Sequence, residues 1–236
     1  MIKKVILLLV VIQLSSCAEL QKVVNQMPNP TLNNAQIAGG LKEALQSGIT
    51  NQVSTLALKD GFYKNELVKI VMPQELQKVE STLRSIGLGS LADEGVKMLN
   101  RAAEDAVSEA TPIFVEAIKS LTLTDAKNIL LGNKDAATSF LQSKTNQALY
   151  SKFQPIINKS FAKVGADKIW TNLITKYNAI PLTKDVNPNL TNYVTDEALK
   201  SVFKMVTKEE LKIRTDVGSR TTDLLRQVFA LQDGNK

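Results

Sequence analysis

The chain contains no histidine. That absence excludes Ser-His-Asp and Cys-His nucleophile systems and any zinc or haem site that needs an imidazole ligand. A single cysteine, Cys17, leaves no intramolecular disulfide, even in a compartment that would permit one. Aromatic residues make up 5% of the chain, so an interior must be built mainly from aliphatic side chains and alanine. Basic residues outnumber acidic ones, 29 to 23, but they alternate along the chain without a basic block. Nucleic-acid binding needs a concentrated basic patch, and none is present. Self-similarity at the roughly 34- or 40-residue period of helical solenoids is missing too. No alternating apolar–polar stretch is long enough to build a sheet.

What is there begins at the N-terminus. Lys3 and Lys4 precede an unbroken apolar run from Val5 to Ile12, followed by Leu14-Ser15-Ser16-Cys17. A positive head, a short apolar stretch and small residues before a cut form the layout of a secretory signal. The run is far short of the ~20 residues that span a bilayer. The four closing residues read as a bacterial lipobox, in which the Cys17 thiol receives a diacylglycerol. Residues 1–16 are therefore expected to be a cleaved lipoprotein signal. Two or three acyl chains at about 0.8 kcal/mol per buried CH₂ would hold the protein stably in a membrane. Ala18 follows the cysteine, where an aspartate would favour the inner membrane, so the expected address is the outer membrane of a bacterial envelope. Loss of Lys3 and Lys4 with the leader lowers the formal charge from +6 to +4.

Residues 17–33 carry Pro28 and Pro30 among polar residues and read as the lipidated N-terminus and a tether. From residue 34 to 236 the pattern is helical. Ile37, Leu41, Leu45, Ile49, Val53 and Leu56 recur at steps of four and three, one apolar face of a long helix. Asp60-Gly61 ends it, with Gly61 expected at positive φ. Lys69 to Met72 carries β-branched residues and precedes Pro73, which predicts extended chain. Pro73 opens a helix that Gly87 and Gly89 close. Ser90 to Asp93 resembles a capping box at the start of an alanine-rich helix reaching about Leu121, interrupted by Pro112, expected to be central. Thr124 is the expected cap of a short helix stopped by Gly132. Residues 135–165 are predicted helical with a break near Pro155, and 167–177 helical with Trp170. The stretch 181–189 reads as a loop before helices near 190–213 and 219–231.

Ordered segments of this chain resemble the bacterial envelope family catalogued as domain of unknown function 4197. They are Leu41 to Leu45, Asp60-Gly61-Phe62 with Asn65, Val68 to Pro73, Asn100 to Glu104, Tyr193 to Asp196, Ile213-Arg214, and Arg220 to Leu225. The chain departs from that pattern at Val217, where the family usually has proline, and at Gly218 and Ser219, where it has alanines. The resemblance implies an all-helical secreted protein, often lipidated, and brings no activity with it.

Candidate sites are few. Arginine occurs at five positions against 24 lysines, which suggests that each is placed for its planar fork. Asn100, Arg101 and Glu104 share a helix, and with Arg214, Arg220 and Asp223 they form the candidate polar cluster. Arg101, Arg214 or Arg220 could converge on a groove for a carboxylate or phosphate. Alternatively they form buried ion pairs with Glu104, Asp105, Asp216 or Asp223 that fix helix register. On the second reading Arg101 and Arg220 should be at least half buried, with Arg101 reaching beyond its own helical turn. Asp60, Asn65 and Glu66 are too few for a calcium loop. Thr221-Thr222-Asp223 reads as a helix cap rather than a nucleophile. Glu80-Ser81 resembles the dipeptide of lytic transglycosylases, but the accompanying downstream stretch is absent. Phe153, Phe161, Trp170 and Tyr177 fit a core better than a ligand pocket. The expectation is a single all-α bundle that binds rather than catalyses, needs no cofactor or metal, and meets another envelope protein. A glycan or lipid in an interhelical groove comes second, and a hydrolase using Glu80 or Glu104 alone is the competing class.

Overall fold

The computed structural model describes residues 32–163, 172, 174–175, 177–179 and 190–233. The expected leader, Cys17, most of the tether, Trp170 and the 181–189 loop lie outside them. The chain divides at Asn33, and the unit that follows, Asn34–Lys236, is the one described here.

Among the described residues there are eight α-helices and no strand. They are α1 (Asn34–Ala57), α2 (Gln74–Ser85), α3 (Gly89–Val107), α4 (Ala110–Lys119), α5 (Leu123–Leu131), α6 (Ala136–Lys163), α7 (Thr191–Thr215) and α8 (Asp223–Asp233). No described helix is long and apolar enough to cross a membrane.

The apolar stripe of α1 buries Leu41, Leu45, Ile49, Val53 and Leu56. Three small residues, Gly40, Ala44 and Gly48, are buried with it, so several helices can approach its backbone. It packs against α3, α4, α5, α7 and α8. At Gly40 a Cβ would lie 2.7 Å from Val228 of α8, so only glycine admits that contact. On the other side, α6 packs against α3, α4, α5 and α7. Phe114 of α4 meets Phe203 of α7 edge to face at 5.8 Å, a geometry the ring quadrupoles favour. Each such fully buried side chain contributes about 1.5–3 kcal/mol.

The alanine-rich segment is two helices. Pro112 has no N–H to donate to the carbonyl of Ser108, so the turn opens at Ser108 and Glu109 and Pro112 falls in the first turn of α4. The inner position expected for this segment is shared: α3 buries Ala102, Ala103 and Ala106, while α1 has more neighbours.

Pro155, by contrast, breaks nothing, and α6 runs through it. It sits on the exposed side between the fully buried Phe153 and Ile157. The Ser151 carbonyl that it leaves without its helical donor can be hydrated there.

The caps also differ from expectation. Helix α3 starts at Gly89 without a side-chain cap, and Asp93 instead pairs with Arg84 at 2.5 Å. The capping box belongs to α5, formed by Thr122 and Asp125 two residues before the expected cap.

Candidate functional site

Asn100, Arg101 and Glu104 project from α3 toward the irregular segment between α1 and α2. Ile70 and Met72 of that segment are buried while Val71 is exposed, the alternation of a strand that has no partner strand. Asn100 supplies the missing partner. Its Oδ1 accepts from the Ile70 N–H at 2.8 Å and its Nδ2 donates to the Ile70 carbonyl at 2.8 Å. A primary amide presents the same donor and acceptor as a peptide group, so one fully buried side chain closes the account. Neighbouring carbonyls are satisfied from α7: Tyr193 donates to Val71, Ser201 to Val68 and Lys204 to Leu67.

Glu104 holds the earlier part of the segment. One carboxylate oxygen accepts from the backbone N–H of Phe62 at 3.1 Å and of Tyr63 at 3.2 Å. The other accepts from Arg101 at 2.5 Å. Arg101 reaches across to Asp60, outside its own helical turn, with about a fifth of its side chain exposed. The hydrogen bond from Arg101, with a second from Lys64, holds the Asp60 carboxyl below its ordinary value. That carboxylate is thus committed to two cations, and the arrangement is not a calcium loop.

The Asp60-Gly61 turn differs from its prediction. Asp60 takes positive φ, at 71°, and Gly61 does not. Glycine is required at 61 because a Cβ would lie 2.5 Å from the carbonyl oxygens of Thr55 and Leu56. Phe62 is thereby turned into the core, fully buried.

Arg214 and Arg220 form a separate group with their own partners. Glu210, one turn before Arg214 on α7, accepts from the backbone N–H of Ala137 and of Thr138 at the start of α6, each at 2.9 Å. Arg214 donates to Glu210 at 2.8 Å and to the Ile129 and Leu130 carbonyls at the end of α5. An anion at a helix N-terminus and a cation at a C-terminus both oppose the local end charge. The pair therefore ties the α5–α6 connection to α7, and both side chains are about 95% or more buried. Arg214 also donates to Gln232 of α8 at 2.9 Å. Arg220 donates to the Ile213 and Arg214 carbonyls at the end of α7 and to both oxygens of Asp233.

The candidate polar cluster is therefore not one site. The α3 triad and the Arg214–Arg220 group share no partner. Asp223 belongs to neither, since it is 87% exposed and pairs with Arg226. Its neighbour Thr222 does cap α8, accepting from Leu225. Among the other expected ion-pair partners, Asp105 accepts from Ser160 and Asp216 from Gly218 and Ser219. Of the two carboxylates weighed as a catalytic acid, Glu80 pairs with Arg84 and Glu104 with Arg101. Phe153, Phe161 and Tyr177 are core residues. Sequence reasoning missed Glu210 and Gln232. The Glu210–Arg214 spacing of one helical turn was a visible signal, but Glu209 beside it carried nothing to tell them apart.

Among the described residues, one open feature of the surface is a groove of about 890 Å³ between the start of α1, one face of α5 and the end of α8. Ile37, Leu123, Leu130, Leu131, Ala230 and Leu231 give it apolar walls, and no carboxylate lines it. Leu123 and Leu131 remain about half exposed. Arg214 connects α5 to α8 directly, and Arg220 pins the end of α8 through Asp233. The buried arginines thus position two of the three walls.

A family model described as a protein of unknown function, DUF4197, matches residues 31–230. No curated protein and no solved structure matches the chain.

Proposed function

The chain belongs to the DUF4197 family, and from that premise we propose a non-catalytic binding module, held at a bacterial envelope membrane through acylated Cys17, that works through the groove between α1, α5 and α8. One contrast among the polar side chains carries this reading. Asn100, Glu104, Glu210, Arg214 and Arg220 are engaged with the backbone of neighbouring segments. Thr124, Lys127 and Asn128 line the groove and, among the described residues, have no side-chain hydrogen bond or ion pair. Concave, mostly apolar surface with a few convergent polar groups is the usual form of a ligand site.

An envelope protein docking elsewhere is the second reading. It is favoured by Leu58, Leu67 and Val71, large apolar side chains exposed on and beside the segment that α3 clamps.

Two measurements test the proposal. Cys17→Ser should leave the precursor without an acyl label and release the domain from the membrane fraction; full retention contradicts the anchor. Crosslinking in intact envelopes followed by mass spectrometry should recover an adduct whose attachment maps to α5 or to the ends of α1 and α8. Adducts confined to the 58–71 segment would favour the second reading.

A further inference from the structure

We infer that the groove takes a free fatty acid, its carboxylate at Lys127 and its chain along the leucine walls. The inference rests on the binding-module reading and adds the chemical class of the ligand. Thr124, Lys127 and Asn128 stand at i, i+3 and i+4, so they share one face of α5. Together they present an ammonium, a hydroxyl and an amide to the groove. Among the described residues none of the three side chains has a hydrogen-bond or ion-pair partner, and Lys127 is the sole charged residue among those lining the groove. One cation with neutral donors beside it suits a single small anion, since a carboxylate accepts several hydrogen bonds and donates none.

The rest of the lining dictates what the anion is attached to. Leu123 and Leu131 flank Lys127 by one turn on either side, and Leu130, Ile37 and Leu231 continue the apolar surface. At 1.5 Å per residue the two flanking leucines stand about 12 Å apart along α5. Three leucines that stay between 42% and 54% exposed around this opening, Leu123, Leu131 and Leu231, gain by covering. A chain of methylenes contributes about 0.8 kcal/mol for each one buried. At about 890 Å³ the groove lies within the roughly 300–1,000 Å³ of small-ligand sites.

The test uses palmitate carrying a photoreactive diazirine near its tail, added to the full-length protein in its membranes. The expected result is labelling of peptides from α5 and from the ends of α1 and α8, saturable and competed by unlabelled palmitate. Hexadecanol, which has the same chain without the charge, should compete poorly. Lys127→Glu should weaken labelling about tenfold or more, as a lost charge contact becomes a repulsion, and Leu131→Asp should remove it. Both positions are exposed, so both variants should melt like the wild type. Labelling spread over the whole surface, unchanged in both variants, or competed equally by hexadecanol overturns the inference. A groove that captures a protein segment but no palmitate overturns it too, while leaving the binding-module reading in place.

Discussion

Asn100 illustrates how much a single buried amide can hold. It takes both backbone groups of Ile70 and returns a third hydrogen bond to Val96 within its own helix, at 2.7 Å. Asn100→Leu keeps the branched shape of the side chain but orphans a buried N–H and a buried carbonyl, each costing about 1–3 kcal/mol. Urea unfolding of that variant should show a loss of about 2–5 kcal/mol; a variant as stable as wild type would mean that the 68–72 segment finds other partners. Arg214 is a second such point. Arg214→Ala leaves Glu210 buried without its cation, and breaking a buried pair costs about 3–5 kcal/mol. Arg214→Lys should recover only part of this, because an ammonium cannot span Glu210 and two carbonyls together. Asp60 makes a prediction about pH. Hydrogen bonds from Arg101 and Lys64 depress its folded pKa. Its contribution is therefore complete above the unfolded value of about 4 and fades as pH falls through the depressed folded value. Stability measured against pH should show a shallower acid limb in Asp60→Asn, and identical limbs would remove Asp60 from the account.

At the scale of elements, proline is the instructive residue because its two cases come out oppositely. Pro112 follows a point where the helix could end without exposing apolar surface. Pro155 lies in a helix whose Phe153 and Ile157 are both fully buried, so tertiary packing holds α6 continuous against the local preference. A proline retained inside a helix is unfavourable relative to alanine by about 3 kcal/mol. Pro155→Ala should accordingly stabilise the protein by about 1–3 kcal/mol in thermal or urea unfolding; destabilisation would mean that the ring itself is packed. The α1 stripe, the α5 stop at Gly132 and the non-helical stretch before Pro73 were legible in the sequence because apolar spacing and proline sterics act locally. The position of the α5 cap was less so, since Thr122 and Thr124 both stand near its start. The Gly61 reading failed for a different reason. Close approach to two carbonyls, rather than positive φ, demands the glycine, and such approach is a property of three-dimensional path. Arg101 and Glu104 were visible as a pair on one helix. Their capture of Asp60 and of the Phe62 and Tyr63 amides was not, because it joins residues about 40 positions apart.

For the molecule as a whole, the buried arginines and the groove are parts of one arrangement. The α3 triad fixes the segment that connects α1 to α2, while Glu210, Arg214 and Arg220 fix α5, α6 and α8 relative to α7. What they hold in place includes the apolar opening around Lys127, which was invisible in the sequence because its walls come from residues as far apart as Ile37, Leu131 and Leu231. On this account the polar residues that stand out along the chain are structural, and the working surface is one whose residues are individually ordinary. The most direct test places a photoreactive side chain at Leu131 in the groove and, as a control, at the exposed Ser85 at the end of α2, in the full-length protein in intact cells. The expected result is a discrete adduct, lipid or protein, from position 131 and none of that mass from position 85. No adduct from 131, or the same adducts from both positions, would contradict it.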